Sequence, residues 1–132
     1  MRFRKVYLEI SNICNLSCAF CPGTKRQKRA MTEEDLAILL PKLRPYTDFL
    51  YFHLMGEPTL HPLLPRFIEA ARAKGFLPVI TTNGSLLREK GETLLSALPY
   101  KISISLHSFE GNEGAGDMSA YLDGCFTFAQ AA

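Results

Sequence analysis

The chain has 132 residues, 47% of them apolar and 21% charged, which is the profile of one globular domain spanning residues 1–132 and excludes a disordered or fibrous chain. Its net charge of +2 divides unevenly: nine Lys/Arg stand against four Asp/Glu in residues 1–45, and six against nine in residues 46–132. That bias is too mild for a nucleic-acid-binding face. 

Residues 2–10 contain Val6, Tyr7, Leu8 and Ile10 in loose alternation and read as a first strand. The basic start Met1-Arg2-Phe3-Arg4-Lys5 is followed by only three apolar residues before Glu9, so no signal peptide is expected and the chain is placed in the cytoplasm. Thr32-Glu33-Glu34-Asp35 has a capping hydroxyl and acids in the first turn, and Leu36, Leu39, Leu40 and Leu43 follow at helical spacing; Pro41 is expected to kink this helix. Residues 49–55 form a continuous apolar run of strand length, the type expected when a sheet is covered on both faces, and far short of the roughly 20 residues that cross a bilayer. Residues 63–74 predict a second helix with Pro65 in its first turn and Gly75 as its stop.

The alternation then repeats, with a third strand over 76–82, a third helix over 87–98 weakened by Gly91, and a fourth strand over 100–106. A Gly-rich loop over 111–116 leads into a last helix over 118–132. Four strand-then-helix units in succession predict an α/β fold with a parallel sheet, either open or an arc of a βα barrel.

Four cysteines in a reducing compartment do not form a disulfide framework, so their spacing decides their role. Cys14, Cys18 and Cys21 fall within eight residues, at Cys-x3-Cys-x2-Cys, in a loop leaving the first strand. Such thiolates converge on zinc, copper or an iron-sulfur cluster. Structural zinc commonly uses four ligands in paired Cys-x2-Cys units; a second pair is absent, so a zinc site would need a histidine such as His53 or His107. Three ligands leave one iron of a 4Fe-4S cluster open.

This segment, Cys14-Asn15-Leu16-Ser17-Cys18-Ala19-Phe20-Cys21, resembles the signature of the radical S-adenosylmethionine (radical SAM) superfamily, with Phe20 in its aromatic place. The likeness extends to Met55-Gly56-Glu57-Pro58, similar to the family's Gly-Gly-Glu-Pro turn with Met55 replacing the first glycine, and to Thr82-Asn83-Gly84 at the third strand. Ser105, which shares a face with Ser103 and His107 by alternation, matches the polar residues of the fourth strand. All these motifs fall at the C-terminal ends of successive predicted strands, where open α/β sheets and βα barrels place their ligand sites.

The resemblance implies a partial βα barrel in which Cys14, Cys18 and Cys21 bind a 4Fe-4S cluster. Phe20, Gly56, Glu57, Pro58, Asn83 and Ser105 would then contact S-adenosylmethionine. It implies reductive cleavage of S-adenosylmethionine to a 5′-deoxyadenosyl radical that abstracts hydrogen from a substrate no residue here announces. It also implies an external one-electron donor, flavodoxin or ferredoxin, for which Lys25-Arg26-Gln27-Lys28-Arg29 is either a docking surface or a solvated loop. The family usually has six βα units, and four are present here. The chain is therefore expected to be a C-terminally incomplete core that assembles a cluster but turns over weakly unless partner subunits supply the missing strands. Two rival expectations are a catalytically incomplete remnant or partner-binding fragment, and a structural zinc module. His61 is expected to lead into the second helix rather than to ligate, and Cys125 to be a small buried apolar residue.

Overall fold

The computed structural model describes residues 1–15, 27–107 and 117–132. Four strands, β1 (Val6–Tyr7), β2 (Phe49–Phe52), β3 (Leu77–Thr82) and β4 (Lys101–Ile104), form one parallel sheet in the order β1-β2-β3-β4. Helices α1 (Glu33–Leu43), α2 (Leu64–Ala73) and α3 (Leu87–Ser96) connect successive strands, and α4 (Met118–Ala131) follows β4. A short 3-10 turn, Pro58–Leu60, stands between β2 and α2.

One face of the sheet carries Leu50, Phe52 and Ile80, all fully buried. They share a single core with Leu36 and Leu40 of α1, Phe67, Ile68 and Ala71 of α2, Leu87 and Leu94 of α3, and Phe128 of α4. Truncating a buried phenylalanine such as Phe52 to alanine costs about 3–5 kcal/mol. The helices are placed by local chemistry as well. Thr32 and Asp35 close a reciprocal capping box on α1, with the Thr32 hydroxyl accepting from the Asp35 N–H and the Asp35 carboxylate accepting from the Thr32 N–H.

Several expectations are corrected. The run over 49–55 does not make a strand covered on both faces: β2 ends at Phe52, and Phe49 and Tyr51 are half-buried on the face turned away from that core. Tyr7, Tyr51, Val79 and Lys101 form one row across that face, and the Lys5 ammonium lies 5.3 and 5.2 Å from the Tyr7 and Tyr51 ring centroids. The first strand pairs over two residues only, although Leu8 N–H still donates to the Tyr51 carbonyl at 2.8 Å. Pro41 lies inside α1, which continues two residues beyond it. Gly91 is no mere weak point in α3, since a Cβ there would stand 2.7 Å from the Phe128 ring; its absence lets α4 pack close.

Candidate functional site

The C-terminal ends of the strands are joined by a polar network that begins at the segment leaving β1. Ser11 pairs with Ala30 in an antiparallel bridge, the Met31 N–H donates to the Ile10 carbonyl at 2.7 Å, and Asn12 clasps the returning chain. Its side chain donates to the Gln27 carbonyl at 3.0 Å and accepts the Arg29 N–H at 2.8 Å. Both ends of the loop that carries the cysteines are thereby pinned to one another. Asn12 is buried, and its backbone adds a third link to the Arg29 carbonyl at 3.3 Å.

The turn after β2 grips the same segment from the other side. Gly56 has φ +85°, a conformation open to glycine, and a Cβ there would meet the Ser11 carbonyl oxygen and lie 2.9 Å from the Asn12 Cα. The next N–H, that of Glu57, donates to the Ile13 carbonyl at 2.8 Å. Glycine is required here by close approach of the protein's own backbone.

Glu57 is 2% exposed. Its Oε1 accepts from the Thr59 N–H at 3.1 Å, the Thr59 hydroxyl at 2.5 Å and the Thr82 hydroxyl at 2.6 Å, and its Oε2 accepts from the Asn83 N–H at 2.7 Å. Four donors offset the cost of burying this carboxyl group. It ties the end of β2 to the end of β3, whereas the sequence allows Glu57 to be a solvated turn acid.

Asn83 extends the network to the cysteine loop. Its Nδ2 donates to Asn15 Oδ1 at 3.0 Å and lies 3.9 Å from Cys14 Sγ; its Oδ1 accepts from the Ser85 N–H at 3.0 Å and the Ser85 hydroxyl at 2.7 Å. Asn15 Nδ2 donates in turn to Ser85 Oγ at 2.9 Å, closing a ring of three side chains. From α4 the Tyr121 hydroxyl donates to the Asn83 carbonyl at 2.7 Å. Gly84 follows with φ +79°, against Ile104 and Cys125.

The structure therefore brings Cys14, Gly56, Glu57 and Asn83 together. Pro58 is buried and opens the 3-10 turn; Ser105 lies just past β4, half-buried, with its N–H on the Thr82 carbonyl at 2.8 Å. Ser103 pairs with Thr81 in the same sheet, and His107 is exposed beyond it. Cys18, Phe20, Cys21, Lys25 and Arg26 lie outside the described residues. Of the remaining basic run, Lys28 is exposed and the Arg29 guanidinium pairs with Asp35 at 3.2 Å. Among the described residues no group of three or more His, Cys, Asp or Glu side chains is arranged to hold a metal ion.

Two histidines differ in kind. His61 is buried and leads into α2 as expected, its Nε2 on the Met31 carbonyl at 2.7 Å and its Nδ1 accepting the Leu63 N–H at 3.1 Å. His53, half-buried beside Tyr7, is held below the usual imidazole range by burial, opposed by the Glu57 charge. Cys125 is buried as expected, and burial pushes its thiol up against the effect of a hydrogen bond with Tyr121. Neither Cys14 nor Cys125 is in a disulfide.

Sequence reasoning missed Asn12, Asn15, Ser85 and Tyr121. The first two flank Cys14 as Asn-x-Cys-Asn, short amides able to bond neighbouring backbone, and that is the signal that marks them. Tyr121 carries none, because its partner is 38 residues away.

Residues 8–118 match the radical SAM superfamily. The chain is 32% identical over 90 residues to the tungsten-containing aldehyde ferredoxin oxidoreductase cofactor-modifying protein of Pyrococcus furiosus, covering 64% of this chain and 25% of that protein. It is 28% identical over 109 residues to an S-adenosylmethionine-dependent nucleotide dehydratase of a Thermoplasmatales archaeon, covering 83% of this chain and 40% of the relative. The crystal structure of BtrN in complex with AdoMet and 2-DOIA superposes with a TM-score of 0.68 at 22% identity, over 87% of this chain and 55% of BtrN, and shows the shared partial-barrel fold. The chain thus spans less than half the length of these two curated relatives. With the motif-bearing strand ends gathered at one edge of a parallel sheet and the family match running through all of them, the chain belongs to the radical SAM superfamily.

Proposed function

We propose that Cys14, Cys18 and Cys21 bind a 4Fe-4S cluster at the C-terminal edge of the sheet, and that the site cleaves S-adenosylmethionine reductively. The observation that carries this reading is the link from Cys14 through Asn83 to the buried carboxylate of Glu57, which gathers three separate motifs at one place. The donor set fits the group: the described thiol has an amide N–H within reach, which suits a metal-bound thiolate. When bound, the cluster and S-adenosylmethionine supply a one-electron cleavage to methionine and a 5′-deoxyadenosyl radical that takes hydrogen from a substrate.

The chain's own residues prepare that site. Asn12 closes the base of the cysteine loop, Gly56 lets the loop's first residues lie against the β2 turn, and Glu57 locks the β2 and β3 ends into one rigid edge. Phe20, the Gly56-Glu57-Pro58 turn, Asn83 and Ser105 stand as contacts for S-adenosylmethionine, with Glu57 acting through the turn because its carboxylate is spent on protein donors. The two relatives named above act on different targets, so neither substrate is assigned here. Reduction is assigned to a flavodoxin or ferredoxin, and the reduced cytoplasm suits the thiols. Complete turnover is assigned to a site completed by further strands from a larger protein or a partner.

Anaerobic reconstitution with iron and sulfide tests the metal. A brown protein with about four irons and four sulfides per chain is expected. A colourless protein that takes up zinc in preference would contradict it.

A further inference from the structure

Asn83 is fixed at every polar atom. Its N–H is held by Glu57, its carbonyl by the Tyr121 hydroxyl, and its Oδ1 by both the N–H and the hydroxyl of Ser85. Those donors decide which end of the amide is oxygen. A flipped amide would set Nδ2 against the Ser85 N–H and Oδ1 against Asn15 Oδ1, two repulsive contacts in place of attractive ones. One Nδ2 hydrogen is taken by Asn15 Oδ1 at 3.0 Å, and Nδ2 also lies 3.9 Å from Cys14 Sγ, within reach for the second. At 7% exposure Asn83 meets little competing water, and the closed Asn83-Asn15-Ser85 ring holds its amide in place.

We infer that Asn83 is a positioning residue that sets the reduction potential of the cluster, by holding an N–H donor on the Cys14 thiolate. This rests on the proposed role of Cys14 as a cluster ligand. The direction follows from charge. Reduction adds an electron that is partly carried by the sulfurs, so a donor to a ligating sulfur favours the reduced state and raises the potential. Glu57 enters as the anchor of Asn83, because it fixes the backbone from which the amide projects.

The test is a redox titration of the reconstituted protein, read by the electron paramagnetic resonance of the reduced cluster, for the wild type, Asn83→Ala and Asn83→Asp. Both variants are expected to keep their iron and to shift to a more negative midpoint, Asn83→Asp further because it places a negative charge where the donor stood. A loaded Asn83→Ala with the wild-type midpoint, or a positive shift, overturns the inference. If Asn83→Ala fails to hold iron, Asn83→Asp decides alone, since its remaining oxygen still serves Ser85. If both fail, the wild type grown with asparagine labelled with 15N at the side-chain amide is expected to show a 15N coupling to the reduced cluster, and its absence overturns the inference. Iron and sulfide analysis of the wild type comes first. An empty wild type overturns the proposed cluster and this inference together, whereas a loaded wild type with unmoved variants overturns this inference alone.

Discussion

The Glu57 carboxylate accepts the Asn83 backbone N–H at 2.7 Å, which makes a buried acid the rivet between the ends of two neighbouring strands. Its removal strands several donors at once. Glu57→Ala leaves the Asn83 N–H and the Thr82 and Thr59 hydroxyls without their acceptor, and a loss of about 3 kcal/mol is expected. Denaturant unfolding measures it, with Glu57→Gln falling between the two. A loss below about 1 kcal/mol would mean that water replaces the carboxylate without penalty.

Gly56→Ala should act on two levels. The residue sits at φ +85°, and its new methyl would press on the backbone at Ser11 and Asn12. A stability loss of roughly 2 kcal/mol is expected, together with impaired iron uptake because the segment before Cys14 must move. Wild-type iron content in a stably folded Gly56→Ala protein would show that the close approach does not shape the cysteine loop.

The acid limb of the stability curve should carry a contribution from His53. Burial depresses its pKa, so the unfolded chain binds the proton more readily than the folded one. The stability linked to this group is complete above the unfolded value, near 6.5, and is lost as pH falls from there through the folded value. His53→Gln is expected to flatten that window, while the fall below the ordinary carboxylate range persists because Asp35 and Asp48 are both held low, by hydrogen bonds from Thr32 and from Arg44 respectively. Urea unfolding from pH 7 to about 2 checks both parts, and an unchanged slope between pH 7 and 4 in His53→Gln would remove the histidine from the account.

The docking role proposed for the basic run in electron delivery can be tested separately. Arg29 is paired with Asp35 and is therefore left in place, while Lys25, Arg26 and Lys28 are reversed. Lys25→Glu, Arg26→Glu and Lys28→Glu together should slow cluster reduction by flavodoxin several-fold at low salt and leave reduction by dithionite unchanged. Equal rates with flavodoxin for the variant and the wild type would make the run a solvated loop.

Much of this was legible in the residues themselves. Apolar patterning together with turn and cap residues located the four strands and four helices of the described residues, since such patterns follow from which faces are buried. The ends were less legible, as β1 and β2 show: a strand stops where pairing stops, and pairing partners lie far away in sequence. Gly56, Glu57 and Asn83 could be found by motif, but their bonding could not. The sequence places a glycine near a ligand, whereas the structure shows the Ser11 and Asn12 backbone in that space. The Asn83-Asn15-Ser85 ring joins residues 68 and 70 positions apart, a relationship that no local pattern contains.

The most direct measurement is 5′-deoxyadenosine release from S-adenosylmethionine under dithionite, made on the anaerobically reconstituted chain beside Cys14→Ala and Cys125→Ala. The wild type is expected to release it slowly and without coupling to a substrate; Cys14→Ala should lose both iron and product, and Cys125→Ala should keep both, because Cys125 is buried against Gly84 and lies outside the Cys-x3-Cys-x2-Cys motif. Wild-type iron and product in Cys14→Ala, or no product from a fully loaded wild type, would contradict the account.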